Sequence, residues 1–251
     1  MALHPPFFIH AVICCFSFTN LKIVKVYIKK TEENSLFEQA KVGFIKMGFE
    51  TIYYDVLTSK VEEYAIVVGF INDILNISKI MGFDELKQID YPTELKQYLH
   101  REIITTNTFN LPEKYPFFIK PTNMKSFSGR VVKEFKDLIG VLDTQLYFTE
   151  TIHDIISEWR CFILNGEILG VKHYKGNPFV AVDENILNEM VSKFTTSPNA
   201  YSLDIGVTKE GLNILVECNN GYSTGNYGLT EIQYAKFLMQ GYLDIAKRSL
   251  K

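Results

Sequence analysis

The sequence lacks the features that define several large protein classes. It holds four cysteines in 251 residues (Cys14, Cys15, Cys161 and Cys218), and none sits at a C-x-x-C or Cys/His spacing. Neither a zinc site nor a disulfide framework is encoded, which leaves buried thiols in a reducing compartment as the expectation. There is no excess of positive charge. Lys and Arg number 26 against 29 Asp and Glu, for a net charge of −3, and no basic stripe supports a nucleic-acid partner. No apolar run is long enough to span a membrane. The nearest, "MALHPPFFIHAVICCFSFTN" at residues 1–20, also lacks the basic start and small-residue cleavage site of a signal peptide. It is expected to be an extra strand or an extension ahead of a domain that begins near Leu21, in a cytoplasmic protein. Internal repeats and low-complexity tracts are missing too, as is any Ser/His/Asp or Cys/His grouping for nucleophilic catalysis.

What the sequence does have is alternation. With 47% hydrophobic and 22% charged residues, the chain can build one large or two small cores. "LKIVKVYIKK" reads as a strand, Ser35 as a cap for the helical period "LFEQAKVGFIKMG", and "FETIYYDV" and "YAIVVGF" as further strands. One or two helices are expected between Ile71 and Leu99, with Pro92 in the first turn of the second. Strands alternating with helices predict a parallel α/β sheet. "NTFNLPEKYP" at 107–116 reads as a linker. Beyond it the pattern becomes antiparallel α+β: strands "PFFIKP", "GRVVKEF" and "QLYFTETI", a short helix "DLIGVL", an Asn165-Gly166 hairpin, a helix near 183–195, a second hairpin, and a long helix from Thr230 to about Ser249.

The second hairpin, "SLDIGVTKEGLNILVECNNG", carries the sharpest signal. With Glu210-Gly211 as a two-residue turn, Lys209 faces Leu212, and counting outward sets Asp204 opposite Glu217, with Asn219 on the same face. Like charges directly opposed on a sheet are destabilising. Two carboxylates and an amide oxygen are the ligands a hard cation such as Mg²⁺ takes, with substrate phosphates completing the octahedron. The plain alternative is a solvent-facing polar side of an amphipathic hairpin.

Two other stretches bear chemistry. Lys120 ends an apolar strand and Pro121 stops its pairing. Lys125, Ser126, Ser128 and Gly129 follow in a loop whose backbone N–H groups suit a phosphate. In "SEWRCF", Glu158 and Arg160 share one strand face and Trp159 takes the other, where it is expected in the core. The Asn165-Gly166 register sets Trp159 opposite Lys172, which turns Lys172 away from Arg160; Lys172 is kept as a cofactor-binding candidate.

The order strand-Lys-Pro, Lys-x-Phe-x-Gly, Glu-Trp-Arg, Asp, then Glu-x-Asn resembles the ATP-grasp superfamily, and within it the RimK-like ligases of a phage and bacterial branch. The resemblance covers roughly residues 100–250. It implies an α/β N-terminal domain over 21–106 that helps shape the acceptor site, then an α+β ATP-grasp domain over 107–251 with subdomains of about 107–148 and 149–251. It implies ATP and two Mg²⁺ ions as cofactors, with Mn²⁺ as an alternative ion. By the same resemblance, Lys120 reaches the nucleotide phosphates and Lys125 to Gly129 is the covering loop. Glu150, in "FTETI", lies in the hinge strand and meets the ribose. Arg160 lies near the γ-phosphate, and Asp204, Glu217 and Asn219 hold the metals, with Glu217 bridging two ions.

The sequence also departs from that family. The covering loop has one glycine, and either Lys96 or Arg101 stands for an earlier nucleotide-binding lysine. His173 and Lys175 substitute for arginines that hold a peptide carboxylate in some relatives. The implied activity is carboxylate–amine ligation through an acyl phosphate, with an amino acid, a peptide or a protein tail as substrate. Glu158 and His173 lie in the segment where a general base is needed. The rival implication is an ATP-binding assembly factor without ligase turnover, like the eukaryotic family that assembles the translation factor delivering initiator tRNA. A degenerate domain holding no nucleotide is the third reading.

Overall fold

In the computed structural model, which describes residues 24–31, 37–122, 127–141, 145–149 and 153–248, the first segment builds a small parallel sheet. Strands β1 (Lys25–Lys29), β2 (Glu50–Tyr54) and β3 (Ile66–Val68) lie in the order β2-β1-β3, with both pairings parallel, as the strand–helix alternation predicts. Helix α1 (Glu38–Lys46) connects the first two strands and ends at Gly48, whose φ of +86° suits a residue without Cβ. The expected cap Ser35 lies outside the described residues. Helix α2 (Ile71–Met81) follows β3. The second helix expected after it is a 3-10 turn, Thr93–Tyr98, with Pro92 at its start.

A second, antiparallel sheet has the order β4-β7-β5-β6, from β4 (Ile104–Thr106), β5 (Phe117–Pro121), β6 (Arg130–Val132) and β7 (Leu146–Thr149). Its core is Phe117, Ile119, Val132, Leu146 and Phe148. The "DLIGVL" helix is a 3-10 turn too, at Phe135–Leu138. β4 lies just before the linker yet pairs with β7, so it belongs to this sheet.

The third sheet, order β11-β10-β8-β9, joins two hairpins: β8 (Ile155–Leu164) with β9 (Glu167–Gly176), and β10 (Ala200–Thr208) with β11 (Asn213–Asn220). β10 is buried along its whole length. Helix α3 (Glu184–Lys193), capped by Asp183, packs Leu187 and Met190 against Tyr201, Leu203, Ile205 and Leu215. Helix α4 (Glu231–Arg248) bridges two sheets. Its Tyr234, Phe237 and Leu238 share one core with Val26, Ile28, Phe44 and Phe162. The strand alternation thus sends Leu203 and Ile205 into the α3 core and leaves Ser202, Asp204 and Gly206 on the other face.

Candidate active site

Asp204 does face Glu217, but by a route the sequence conceals. The β10–β11 loop has three residues, because Thr208 N–H donates to Leu212 O (3.0 Å) and Gly211 takes φ +82°. That corrects the two-residue turn, and it pairs Gly206 with Ile214 and Ile205 with Leu215. A bulge then adds Val216 to β11, and the register resumes with Asp204 opposite Glu217. The two departures cancel.

Each carboxylate is held by a cation from another strand. Arg160 on β8, directly across from Asp204, donates from Nε to Oδ1 (2.7 Å) and from Nη2 to Oδ2 (2.5 Å). Lys120 on β5 bridges Glu217 Oε2 (2.6 Å) and Asp90 Oδ1 (2.5 Å). Lys120 therefore ties the second sheet to the third. Asn219 donates from Nδ2 to Glu217 Oε1 (3.0 Å), confirming that the two share a face.

Burial is the largest single influence on each charged group here, but it sets the direction only for Asp204 and Asp90. It pushes Asp204 up to about 6 against the opposing pull of Arg160, and it raises Asp90 above its ordinary value despite Lys120. Burial works on Glu217 in the same sense, yet Lys120, Asn219 and Arg160 together hold it below the usual carboxylate range. Lys120 and Arg160 lose stability as cations through burial, but their carboxylate partners outweigh this and raise both.

Asp90 was not singled out by sequence. No sequence motif marks it, and its role appears only when Lys120 arrives from 30 positions away. Its backbone is left-handed (φ +49°), which Asp tolerates, and its carbonyl accepts the Cys218 N–H (2.8 Å). Tyr227 was missed as well; its ring lies 4.6 Å from the Arg160 guanidinium, with Tyr174 at 5.9 Å. A cleft of about 260 Å³ opens beside these groups, lined by Ile71, Asp90, Arg160, Asn219, Ser223 and Tyr227 among others.

The remaining candidates divide. Lys125, Ser126 and Glu150 lie outside the described residues. Ser128 and Gly129 are exposed at the start of β6, and a Cβ on Gly129 would meet the Phe118 ring at 2.9 Å and Lys120 Cβ at 3.5 Å. Lys172 needs correcting. The type of turn at Asn165-Gly166 is as expected, but a bulge at Leu169 shifts β9 by one, so Lys172 pairs with Arg160 and Trp159 with His173. Trp159 is half-buried rather than core; its indole N–H donates to Ser157 Oγ and Val180 O, both at 2.8 Å, and its ring meets His173 edge-on at 5.0 Å. Glu158 accepts from Tyr174 Oη (2.8 Å) and pairs with Lys175, which ties up the segment expected to supply a base. Of the pair left open, Lys96 is exposed, while Arg101 donates to the carbonyls of Leu99, Leu215 and Val216.

Asp204, Glu217 and Asn219 form an all-oxygen donor set of the kind that fits a hard divalent cation, and Lys120 and Arg160 supply its countercharge here. Among the described residues, no group of three or more His, Cys, Asp or Glu side chains is arranged as a metal site. No helix among them is long and apolar enough to cross a membrane. The site therefore gathers two cations, Lys120 and Arg160, and three carboxylates, Asp90, Asp204 and Glu217, at the meeting of two sheets.

Solved structures share this fold. D-alanine–D-alanine ligase from Bacillus anthracis aligns with a TM-score of 0.54 at 13% identity, over 90% of this chain and 98% of that one. A RimK domain ATP-grasp protein from Sphaerobacter thermophilus aligns at 0.53 and 12% identity, over 91% and 100%. N5-carboxyaminoimidazole synthetase from Staphylococcus aureus aligns at 0.54 and 11% identity, over 87% and 77%. At such identities the likeness is one of fold. No curated protein matches the sequence. The family model for the ATP-grasp domain, R-2-K clade family 2, matches residues 98–237, a span that holds Arg101, Lys120, Arg160, Asp204, Glu217 and Asn219. That span exceeds half of the chain, and the protein belongs to this second family of the R-2-K clade of ATP-grasp domains.

Proposed function

We propose that this protein is an ATP-dependent carboxylate–amine ligase of RimK-like type. The observation that carries the reading is the opposed pair Asp204 and Glu217, each paired with a cation from a different strand, Arg160 on β8 and Lys120 on β5. In a ligand-bound site the carboxylates and Asn219 would hold Mg²⁺, which supplies charge neutralisation on the triphosphate. Lys120 and Arg160 then turn from the carboxylates to the phosphate oxygens. The Bacillus anthracis ligase, which shares the fold, forms a complex with ATP, and that supports a nucleotide as the ligand here.

The chemistry asks for positioning and charge stabilisation rather than a protein nucleophile. A substrate carboxylate oxygen attacks the γ-phosphorus and ADP leaves, giving an acyl phosphate. An amine nitrogen then attacks the acyl carbon, the C–O bond to phosphate breaks, and the amine proton is lost as amide and inorganic phosphate form. Lys120 binds phosphate oxygens through its point charge, and Arg160 faces the transferring group with a planar fork. Lys172, paired with Arg160 on β9, adds a further cation to that end of the site. Lys125, Ser126, Ser128 and Gly129 cover the phosphates and Glu150 meets the ribose. In this reading residues 21–106 form the preceding α/β domain, with β4 lent to the sheet of the 107–148 subdomain, and 149–251 completes the site. The substrates are an amino acid, peptide or protein tail, in the cytoplasm.

The test is ADP release in the presence of Mg²⁺, ATP and pooled amino acids, with hydroxylamine added to trap an acyl phosphate as its hydroxamate. Acid-dependent ADP release with hydroxamate, both absent in Glu217→Ala, supports ligation. Tight MgATP binding with neither product from any acid overturns it and leaves the assembly-factor reading.

A further inference from the structure

Arg101 reaches β11, the strand that carries Glu217 and Asn219, through backbone carbonyls. Its Nη1 donates to Leu215 O (3.0 Å) and to Leu99 O (3.0 Å), and its Nη2 donates to Val216 O (2.9 Å). In a regular strand, consecutive carbonyls point to opposite sides, so one guanidinium cannot take both. Here it does, because Leu215 and Val216 form the bulge.

The bulge decides what faces Asp204. Carried straight through from the loop, the register that pairs Ile205 with Leu215 would set Val216 against Asp204. Glu217 would then oppose Leu203 and turn into the α3 core. β11 is the edge strand of its sheet, so the bulge carbonyls have no neighbouring strand to satisfy them. The Arg101 fork supplies those donors, and the Asp90–Cys218 bridge continues the same edge one step further. The half-buried guanidinium is backed by Tyr91, whose ring lies 5.8 Å away.

We propose that Arg101 is a positioning residue: by gripping the Leu215 and Val216 carbonyls it fixes the β11 bulge that presents Glu217 beside Asp204. The role rests on the nucleotide-and-metal reading of the site, but the bulge itself does not. A lysine there offers a point charge in place of a fork and cannot hold both carbonyls in the same geometry.

The experiment titrates a non-hydrolysable ATP analogue into wild type and Arg101→Lys, once with Mg²⁺ and once with EDTA. Hydrogen exchange over residues 213–218 is read on the same samples. In the variant, the gain in affinity that Mg²⁺ gives should fall about tenfold, as for other residues that orient metal ligands. Affinity in EDTA should hold, and exchange at 215–218 should quicken. Equal losses with and without Mg²⁺ would make Arg101 a phosphate contact and overturn the proposal. So would unchanged exchange with an unchanged Mg²⁺ gain. If wild type shows no Mg²⁺-dependent binding, the nucleotide reading fails, and the exchange data still decide whether Arg101 holds the bulge.

Discussion

Arg160 grips Asp204 through two parallel hydrogen bonds, Nε to Oδ1 at 2.7 Å and Nη2 to Oδ2 at 2.5 Å, with the Asp204 side chain only 3% exposed. A desolvated carboxylate of this kind depends on its partner. Arg160→Gln should lower stability by about 3–5 kcal/mol, because it strands a buried charge, whereas Arg160→Met with Asp204→Leu should recover most of that loss. Urea unfolding of the three proteins checks it. A single variant as stable as wild type would show that Asp204 finds water or another partner.

Lys120 gathers two carboxylates from separate elements, and its side chain is 12% exposed. Lys120→Met should destabilise the fold by about 3 kcal/mol, since Asp90 and Glu217 then repel each other without a shared cation. If Lys120 also contacts phosphate, MgATP-analogue affinity should fall by about 100-fold, roughly 2.8 kcal/mol at 1.4 kcal/mol per decade. Calorimetry and thermal melting separate the two effects. Unchanged affinity in a folded variant removes Lys120 from the phosphates.

Gly43 is where α1 meets α4. A Cβ there would lie 2.0 Å from the Glu231 carbonyl oxygen and 2.8 Å from Ala235 Cβ, and the first of these is rigid backbone. Gly43→Ala should therefore destabilise by about 1–3 kcal/mol, although alanine is the better helix former by nearly 1 kcal/mol. A raised melting temperature would mean that the helices slide apart at no cost.

Glu62 is held down to about 2, chiefly by the hydrogen bond from Lys25 Nζ (2.7 Å), with Tyr27 Oη adding a second at 2.8 Å. A depressed carboxylate stabilises the fold above its ordinary value of 4.5 and loses that contribution as the pH falls toward 2. The groups are exposed, so the effect on stability is small and screened by salt. Carbon-detected NMR titration should find Glu62 ionised at pH 3 in wild type and titrating nearer 4.5 in Lys25→Met.

The sequence determined much of what depends on near neighbours, though not the three-residue β10–β11 turn or the 3-10 turns at Thr93–Tyr98 and Phe135–Leu138. Period-two and helical alternation set the parallel first sheet, the Asn165-Gly166 hairpin and the long last helix, and residue types picked out Lys120, Arg160, Asp204, Glu217 and Asn219. Local signals failed where the chain inserts one residue. The bulges at Val216 and Leu169 follow from edge carbonyls and packing on neighbouring strands, which no turn motif encodes, and they move Lys172 onto the Arg160 side. Asp90 was illegible, and Arg101 was legible only as one of two candidates for an earlier nucleotide-binding residue, not as the holder of the β11 edge. Each takes its role only when the tertiary fold carries Lys120 and the edge of β11 to within hydrogen-bond reach, and a short-range contact across a long stretch of chain leaves no periodic trace in the sequence.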